Sequence, residues 1–182
     1  MALRSILTFP APVLKVRAVP VDNIGGDVAQ LVEDMSETMY AAPGVGLAAT
    51  QVGVGQRVIV LDVRNDDERP GMRLLKLINP VIAERDGEVT WEEGCLSVPE
   101  LTAPVKRARR VLIRAWTPEQ KEVQVEAEEL LAVALQHEID HLDGKLFLDR
   151  LSRLKRDLYR ARRKKLERQG KSSGGGPHPL AI

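Results

Sequence analysis

The segment EELLAVALQHEIDHLDG, residues 128–144, predicts one buried helix around which the rest of the chain must pack. Its apolar residues fall on most sides of a helix, which is typical of a helix surrounded by protein. Gly144 stands where a left-handed residue commonly ends a helix. The sequence therefore predicts an α+β fold in which antiparallel strands pack around this helix.

The same stretch contains His137-Glu138-Ile139-Asp140-His141, an HExxH motif. Histidines four residues apart lie on one face of a helix, so both imidazoles can reach one metal ion. Glu138 can then exchange a proton beside that ion. The alternative, two surface histidines on an amphipathic helix, does not explain the apolar flanks of the motif. We therefore predict a metal site with His137 and His141 as ligands.

A catalytic metal site usually has three protein ligands, and the sequence offers several candidates for the third. The metzincin pattern HExxHxxGxxH continues to Gly144 but ends at Phe147, and phenylalanine cannot bind a metal. A thermolysin-like site needs a downstream glutamate, for which Glu167 in a basic segment is the candidate. Cys95, the only cysteine, is the remaining candidate, although a lone cysteine is also common as a buried apolar residue.

Hydrophobic periodicity predicts the other elements in outline. One helix is predicted over 26–41 and a second over about 148–168, outside the core. The apolar face of the second helix consists of Leu151, Leu154, Leu158 and Ala161. Strands are predicted over 57–63, 74–84 (interrupted at Asn79-Pro80), 88–91, 110–116 and 122–127. Residues 169–182 are rich in Gly, Ser and Pro and are predicted to be disordered, which leaves 1–168 as one domain.

Composition indicates a chain of 182 residues with enough apolar residues for its own core. No apolar run approaches the roughly 18 residues of a membrane span, and the N-terminus lacks a signal-peptide pattern. We therefore predict a cytoplasmic protein. The charge is uneven, because residues 150–171 hold 11 of the 27 Lys and Arg residues but 2 of the 26 Asp and Glu residues. A basic tail follows an acidic body.

Three motifs occur in the order GVGLAATQ (44–51), EGCLSVP (93–99) and QHEIDH (136–141). In sequence and in order they resemble the signature motifs of peptide deformylases, and the similarity covers about residues 1–165. The resemblance implies a metalloenzyme that removes the formyl group from the N-formyl-methionyl peptides of nascent proteins and releases formate.

The resemblance also implies a role for each matched residue. Three ligands would hold one metal ion, typically Fe²⁺ in this family and replaceable by Zn²⁺ or Ni²⁺: Cys95, His137 and His141. Glu138 would transfer protons, while the Gln51 amide and the backbone N–H of Leu96 would stabilise charge on the formyl oxygen. Gly46 would hold the extended peptide through its backbone. The methionine pocket would be lined by Val45, Trp91, Leu130, Val133 and Ala134.

Two further positions follow from the resemblance. Glu93 is expected to support the metal-binding segment from behind. Thr102 stands where many relatives carry a basic residue, three positions after the proline of EGCLSVP. The sequence therefore does not identify what anchors the far end of the peptide.

Other functions fit parts of this pattern. A metalloprotease of another type would share the HExxH helix. A nucleic-acid-binding module with a structural metal would need a fourth protein ligand, for which His178 is the obvious remaining residue. The basic segment also has two interpretations: a solvated helix whose leucine face packs on the domain, or a contact to ribosomal RNA.

Overall fold

The computed structural model describes residues 2–63 and 74–168. Its helices are α1 (Gly26–Ala41), α2 (Glu129–Leu142) and α3 (Arg153–Arg168). Its strands are β1 (Gly46–Ala48), β2 (Val58–Leu61), β3 (Leu75–Asp86), β4 (Val89–Cys95), β5 (Val98–Arg107), β6 (Arg110–Trp116) and β7 (Glu122–Glu128). Short 3₁₀ helices cover Pro12–Lys15, Ala49–Val52 and Phe147–Arg150. The disorder predicted for 169–182 concerns residues outside the described ranges.

The strands form two antiparallel sheets, one of five strands in the order β1-β2-β3-β6-β7 and one made of β4 and β5. Side chains alternate along β2: Ile59 and Leu61 join the apolar cluster around α2, whereas Val58 and Val60 join the cluster around α1. Because both faces of the strand are buried, its sequence is continuously apolar rather than alternating.

Helix α2 lies in the core, as the sequence predicts. Every residue from Ala132 to Leu142 is buried. Gly144 has a φ of 70°, so the predicted left-handed position after the helix is confirmed. A Cβ at this glycine would lie 2.6 Å from the carbonyl oxygen of Lys15, which gives a second reason for glycine here. The predicted α+β arrangement around an HExxH-bearing helix is confirmed.

The strands differ from the prediction in extent. β3 continues through Asn79 and Pro80, and a register shift against β6 between Ile78 and Val81 accommodates them. The side-chain amide of Asn79 also pairs with the backbone N–H and carbonyl of Val21, each at 2.8 Å. β4 runs to Cys95 rather than ending at residue 91. The short β1 and the whole of β5, which contains two internal prolines, were not predicted.

The basic helix α3 begins at Arg153, later than predicted, and turns a different face to the domain. Leu154 and Leu158 are 70% and 62% exposed, whereas Tyr159 and Arg163 are buried. The Tyr159 hydroxyl donates to the carbonyl of Pro99 at 3.1 Å. The interpretation in which the leucine face packs on the domain is wrong for Leu154 and Leu158, because the tyrosine ring and its hydroxyl make the contact instead. Within the described ranges, no helix is both long and apolar enough to span a bilayer.

Candidate active site

Three side chains that could bind a metal ion meet beside α2, and two of them belong to that helix. The Cys95 Sγ lies 3.2 Å from His141 Nε2, which in turn lies 3.2 Å from His137 Nε2. All three ligand atoms lie within 4.8 Å of one another, and all three residues are buried. Thiolate sulfur and imidazole nitrogen are donors that suit zinc, iron and nickel. The cluster can therefore hold one metal ion.

Cys95 reaches this position because it ends the first strand of a hairpin. Cys95 pairs with Val98, so Leu96 and Ser97 form the connection between β4 and β5. This tight strand connection brings the Cys95 thiol from the small sheet to the two imidazoles on the central helix.

The electrostatics of the cluster favour bound positive charge. Burial raises the pKa of the Cys95 thiol, and the nearby Glu138 carboxylate raises it further. Burial and the neighbouring His137 imidazole lower the pKa of His141 well below its usual value, so this imidazole is neutral and free to act as a ligand. A cation bound among these groups would stabilise the thiolate form of Cys95.

Glu138 is fully buried, and neither of its carboxylate oxygens has a hydrogen-bond partner among the described residues. Burial raises its pKa well above the usual value, and the Glu93 carboxylate adds to this effect. An unpartnered buried carboxyl group is costly and therefore calls for an explanation. Beside the ligand cluster, this group is available to exchange a proton.

Gln51 faces the ligand cluster from the 3₁₀ helix Ala49–Val52. Its Oε1 accepts a hydrogen bond from the Ala48 N–H at 2.8 Å, and its Nε2 donates to Ser97 Oγ at 3.1 Å. The Nε2 also lies 3.7 Å from Cys95 Sγ. These contacts fix the orientation of the amide, so that its N–H groups border the cluster.

Glu93 supports His137 from behind. Its Oε2 accepts a hydrogen bond from His137 Nδ1 at 2.8 Å, while Arg107 donates to both carboxylate oxygens at 2.6 and 2.8 Å. Burial alone would raise the pKa of Glu93, but the hydrogen bonds from Arg107 and His137 lower it to about 2. The ionised carboxylate favours the imidazole tautomer that leaves Nε2 for a metal.

Arg107 lies beside this site, although no sequence motif identifies it. Its side chain is 1% exposed and lies between Glu93 and Asp140. The alternation along β5 indicates that Arg107 points inward, since Ala103, Val105 and Arg107 are all buried. A charged residue in the inward register of a strand predicts a buried ion pair.

The five residues predicted to line a methionine pocket come from three segments and lie in one apolar cluster. Val133 and Ala134 are buried members of the cluster around α2, and the other three are half-buried and pack against it: Val45, Trp91 and Leu130. Gly46 follows Val45 and faces Glu138. Thr102 is exposed on β5.

These groups can together bind a metal ion and move a proton next to it, which places the chain among metal-dependent hydrolases. The model of one such family, polypeptide deformylase, matches residues 3–157. The chain belongs to that family. The prediction of a metal-dependent hydrolase of the peptide deformylase type is thereby confirmed, and the known function of the family is the deformylation of nascent peptides.

Individual relatives are similar over nearly their whole length. The peptide deformylase of Syntrophobacter fumaroxidans is 51% identical over 91% of this chain and 96% of its own. That of Alkalilimnicola ehrlichii is 51% identical over 97% of each chain. The crystal structure of the Legionella pneumophila enzyme covers 94% of this chain and 100% of its own, with 42% identity and a TM-score of 0.84. The Ehrlichia chaffeensis enzyme in complex with actinonin covers 92% and 99%, with 38% identity and a TM-score of 0.86.

Proposed function

We propose that Cys95, His137 and His141 hold one metal ion and that the surrounding residues hydrolyse the formyl group of N-formyl-methionyl peptides. The observation that carries the proposal is the convergence of three donor atoms within 4.8 Å beside the unpartnered carboxylate of Glu138. The ion we propose is Fe²⁺, replaceable by Zn²⁺ or Ni²⁺, because thiolate and imidazole suit all three. A bound ion makes hydroxide available near neutral pH and polarises a carbonyl group.

Glu138 would carry the protons of the reaction. It takes one from the attacking water and gives one to the nitrogen of the departing methionine, as the formyl C–N bond breaks and formate forms. Burial raises the pKa of this carboxyl group well above its usual value, the direction that favours a carboxyl group acting as both general acid and general base.

Gln51 and Leu96 would stabilise the negative charge that develops on the formyl oxygen. The Gln51 carbonyl is already engaged by the Ala48 N–H, so the amide nitrogen is turned toward Ser97 and Cys95. Leu96 directly follows Cys95 in the strand connection, which places its backbone N–H next to a metal ligand. Donors fixed before the reaction act most strongly on developing charge.

The peptide would bind in extended form along the backbone of Gly46, with its methionine side chain among the apolar pocket residues. Without a side chain at Gly46, the substrate backbone can come close to Glu138. Main-chain hydrogen bonds of this type tolerate varied sequences, as an enzyme acting on many nascent chains requires. The proposed lining of this methionine pocket consists of Val45, Trp91, Leu130, Val133 and Ala134.

The test compares three substrates: formyl-Met-Ala-Ser, acetyl-Met-Ala-Ser and a peptide that can be cleaved only at its internal peptide bonds. Anaerobically purified protein should contain one metal ion per chain and release formate from the first substrate alone. Cleavage of the internal-bond peptide would instead indicate an endoprotease. Equal hydrolysis of the formyl and acetyl peptides would contradict the proposed selectivity of the site.

We also propose a cytoplasmic enzyme that contacts ribosomal RNA through α3. The exposed cations of this helix include Arg160, Arg162, Lys164 and Lys165. Phosphate groups attract such a surface through counterion release. Tyr159 is the aromatic residue of α3 and is buried, so it is not available to stack on bases. The expected contact is therefore electrostatic and independent of RNA sequence.

A further inference from the structure

A chain of charged side chains runs from the metal-ligand cluster to the protein surface. Beyond Glu93, Arg107 also donates to Asp140 through Nη1. On the other side of Asp140, Arg150 donates through Nε and Nη2 at 2.7 and 2.8 Å. The exposed fraction rises along the chain, from 0% for the Glu93 side chain to 10% for Asp140 and 40% for Arg150.

The network is balanced in charge and in hydrogen bonds. Two carboxylates face two guanidinium groups, and each of the four carboxylate oxygens accepts at least one hydrogen bond. Both guanidinium groups bind a carboxylate through two N–H groups, a geometry that fixes orientation as well as distance. Removal of one member would leave a buried charge without its partner, which is strongly unfavourable.

The network joins the two elements that carry the proposed metal ligands. Glu93 lies on β4, two residues before Cys95, and Asp140 lies on α2, between His137 and His141. Arg107, at the end of β5, binds both carboxylates. It therefore fixes the position of β4 relative to α2, and with it the distance from the thiol to the two imidazoles.

We infer that Arg107, Asp140 and Arg150 are positioning residues for the metal ligands. They hold Glu93 against His137 and keep Cys95 in register with the imidazoles. This inference rests on the metal site proposed above. We expect these residues to affect metal binding rather than peptide binding, because none of the three belongs to the methionine pocket.

The experiment compares Asp140→Asn and Arg150→Met with the unchanged protein, each as the full chain. All three proteins are loaded with Co²⁺, because the absorption spectrum of this ion reports the ligand geometry. Loss of the metal to a chelator should be about tenfold faster in both variants, because residues behind metal ligands affect affinity by about 10- to 100-fold. The Co²⁺ spectrum should change, kcat should fall about tenfold, and KM for formyl-Met-Ala-Ser should stay within twofold.

Two further variants sharpen the comparison. Lys145→Met removes an exposed cation from the segment between α2 and the 3₁₀ helix and should change none of these quantities. Arg150→Lys keeps the charge but loses the paired N–H groups, so it should lose metal at a rate between those of Arg150→Met and the unchanged protein.

An unchanged Co²⁺ spectrum and unchanged metal loss in Asp140→Asn and Arg150→Met, even with a lower Tm, would show that the network is only structural. If Asp140→Asn does not fold, Arg150→Met decides alone, since its side chain is 40% exposed. A different result is expected if the proposed metal site itself is wrong. In that case the unchanged protein would bind no Co²⁺, or Cys95→Ala would bind it normally.

Discussion

Gly46 and Glu138 approach so closely that no side chain fits between them. A Cβ built on Gly46 would lie 2.4 Å from Glu138 Oε1 and 2.9 Å from its Cδ. Gly46 is not among the residues with positive φ, so the backbone does not require glycine here. Glycine is required here because the Glu138 carboxyl group occupies the space that a side chain at this position would fill.

Gly46→Ala should therefore displace Glu138 and lower kcat for a formyl-methionyl peptide by about 10²-fold, the cost of moving a catalytic group by about 1 Å. The metal content should stay at one ion per chain. Steady-state kinetics and metal analysis would measure both quantities. Gly55→Ala is the matched control, because a Cβ at Gly55 meets nothing within 4 Å. Equal kcat values for the two variants would contradict the role given to Gly46.

Glu138→Gln should keep its metal and lose about 10² to 10⁴-fold in kcat, since the amide fills the same space but cannot transfer protons. Formate release and metal analysis on the same sample distinguish the two effects. Loss of metal from this variant would mean that Glu138 is a ligand, and the assignment of roles would have to change.

Cys95→Ala should lose most of its metal affinity, because two imidazoles alone remain. Cys95→Asp should keep a weakly active site, since a carboxylate can also bind these metals. Metal titration of both variants under anaerobic conditions is the measurement. A full complement of metal in Cys95→Ala would exclude the cysteine as the third ligand.

The activity of the Fe²⁺ form should decay in air faster than that of the Ni²⁺ or Zn²⁺ forms. The three preparations share the same thiolate, so a difference between them reports the chemistry of the ion. Formate release after timed exposure to air measures the decay. Equal decay in all three would instead assign the loss to oxidation of Cys95.

Replacing Lys164 and Lys165 of α3 with Gln should leave hydrolysis of a short formyl peptide unchanged, because both residues are exposed and neither belongs to the cluster of Cys95 and the two histidines. Co-sedimentation with ribosomes should weaken, and the slope of log K against log salt should fall by about 2, close to one for each lost phosphate contact. Arg163 is unsuitable for this test because it is buried. Binding that does not respond to salt would contradict an electrostatic contact.

The central helix could be predicted because its signals are local. The HExxH spacing, the apolar flanks and Gly144 all lie within 17 residues of one another. The convergence of Cys95 with the two histidines is a long-range contact, so it could be expected only from the resemblance of three motifs. The β4–β5 hairpin that produces this contact could not be predicted, because Pro99 and Pro104 interrupt the strand pattern of β5.

The buried ion pairs and the packed face of α3 could not be predicted in the same way. The charge of Arg107 resembles that of its exposed neighbour Lys106, and only the alternation along β5 distinguishes the two. In α3, leucines at helical spacing indicated one face, but the domain binds the face that carries Tyr159. Which face of a helix packs depends on the partner surface, and that surface is formed by distant residues.

The order of the ligands along the chain has a consequence for how this enzyme is made. His141 is synthesised 46 residues after Cys95, and Arg107 and most of α2 are added between the two. A ribosome that has produced only the strands holds a polypeptide that contains Cys95 but neither histidine of the cluster. The enzyme that processes other newborn chains therefore cannot complete its own candidate metal cluster before His141 has been synthesised.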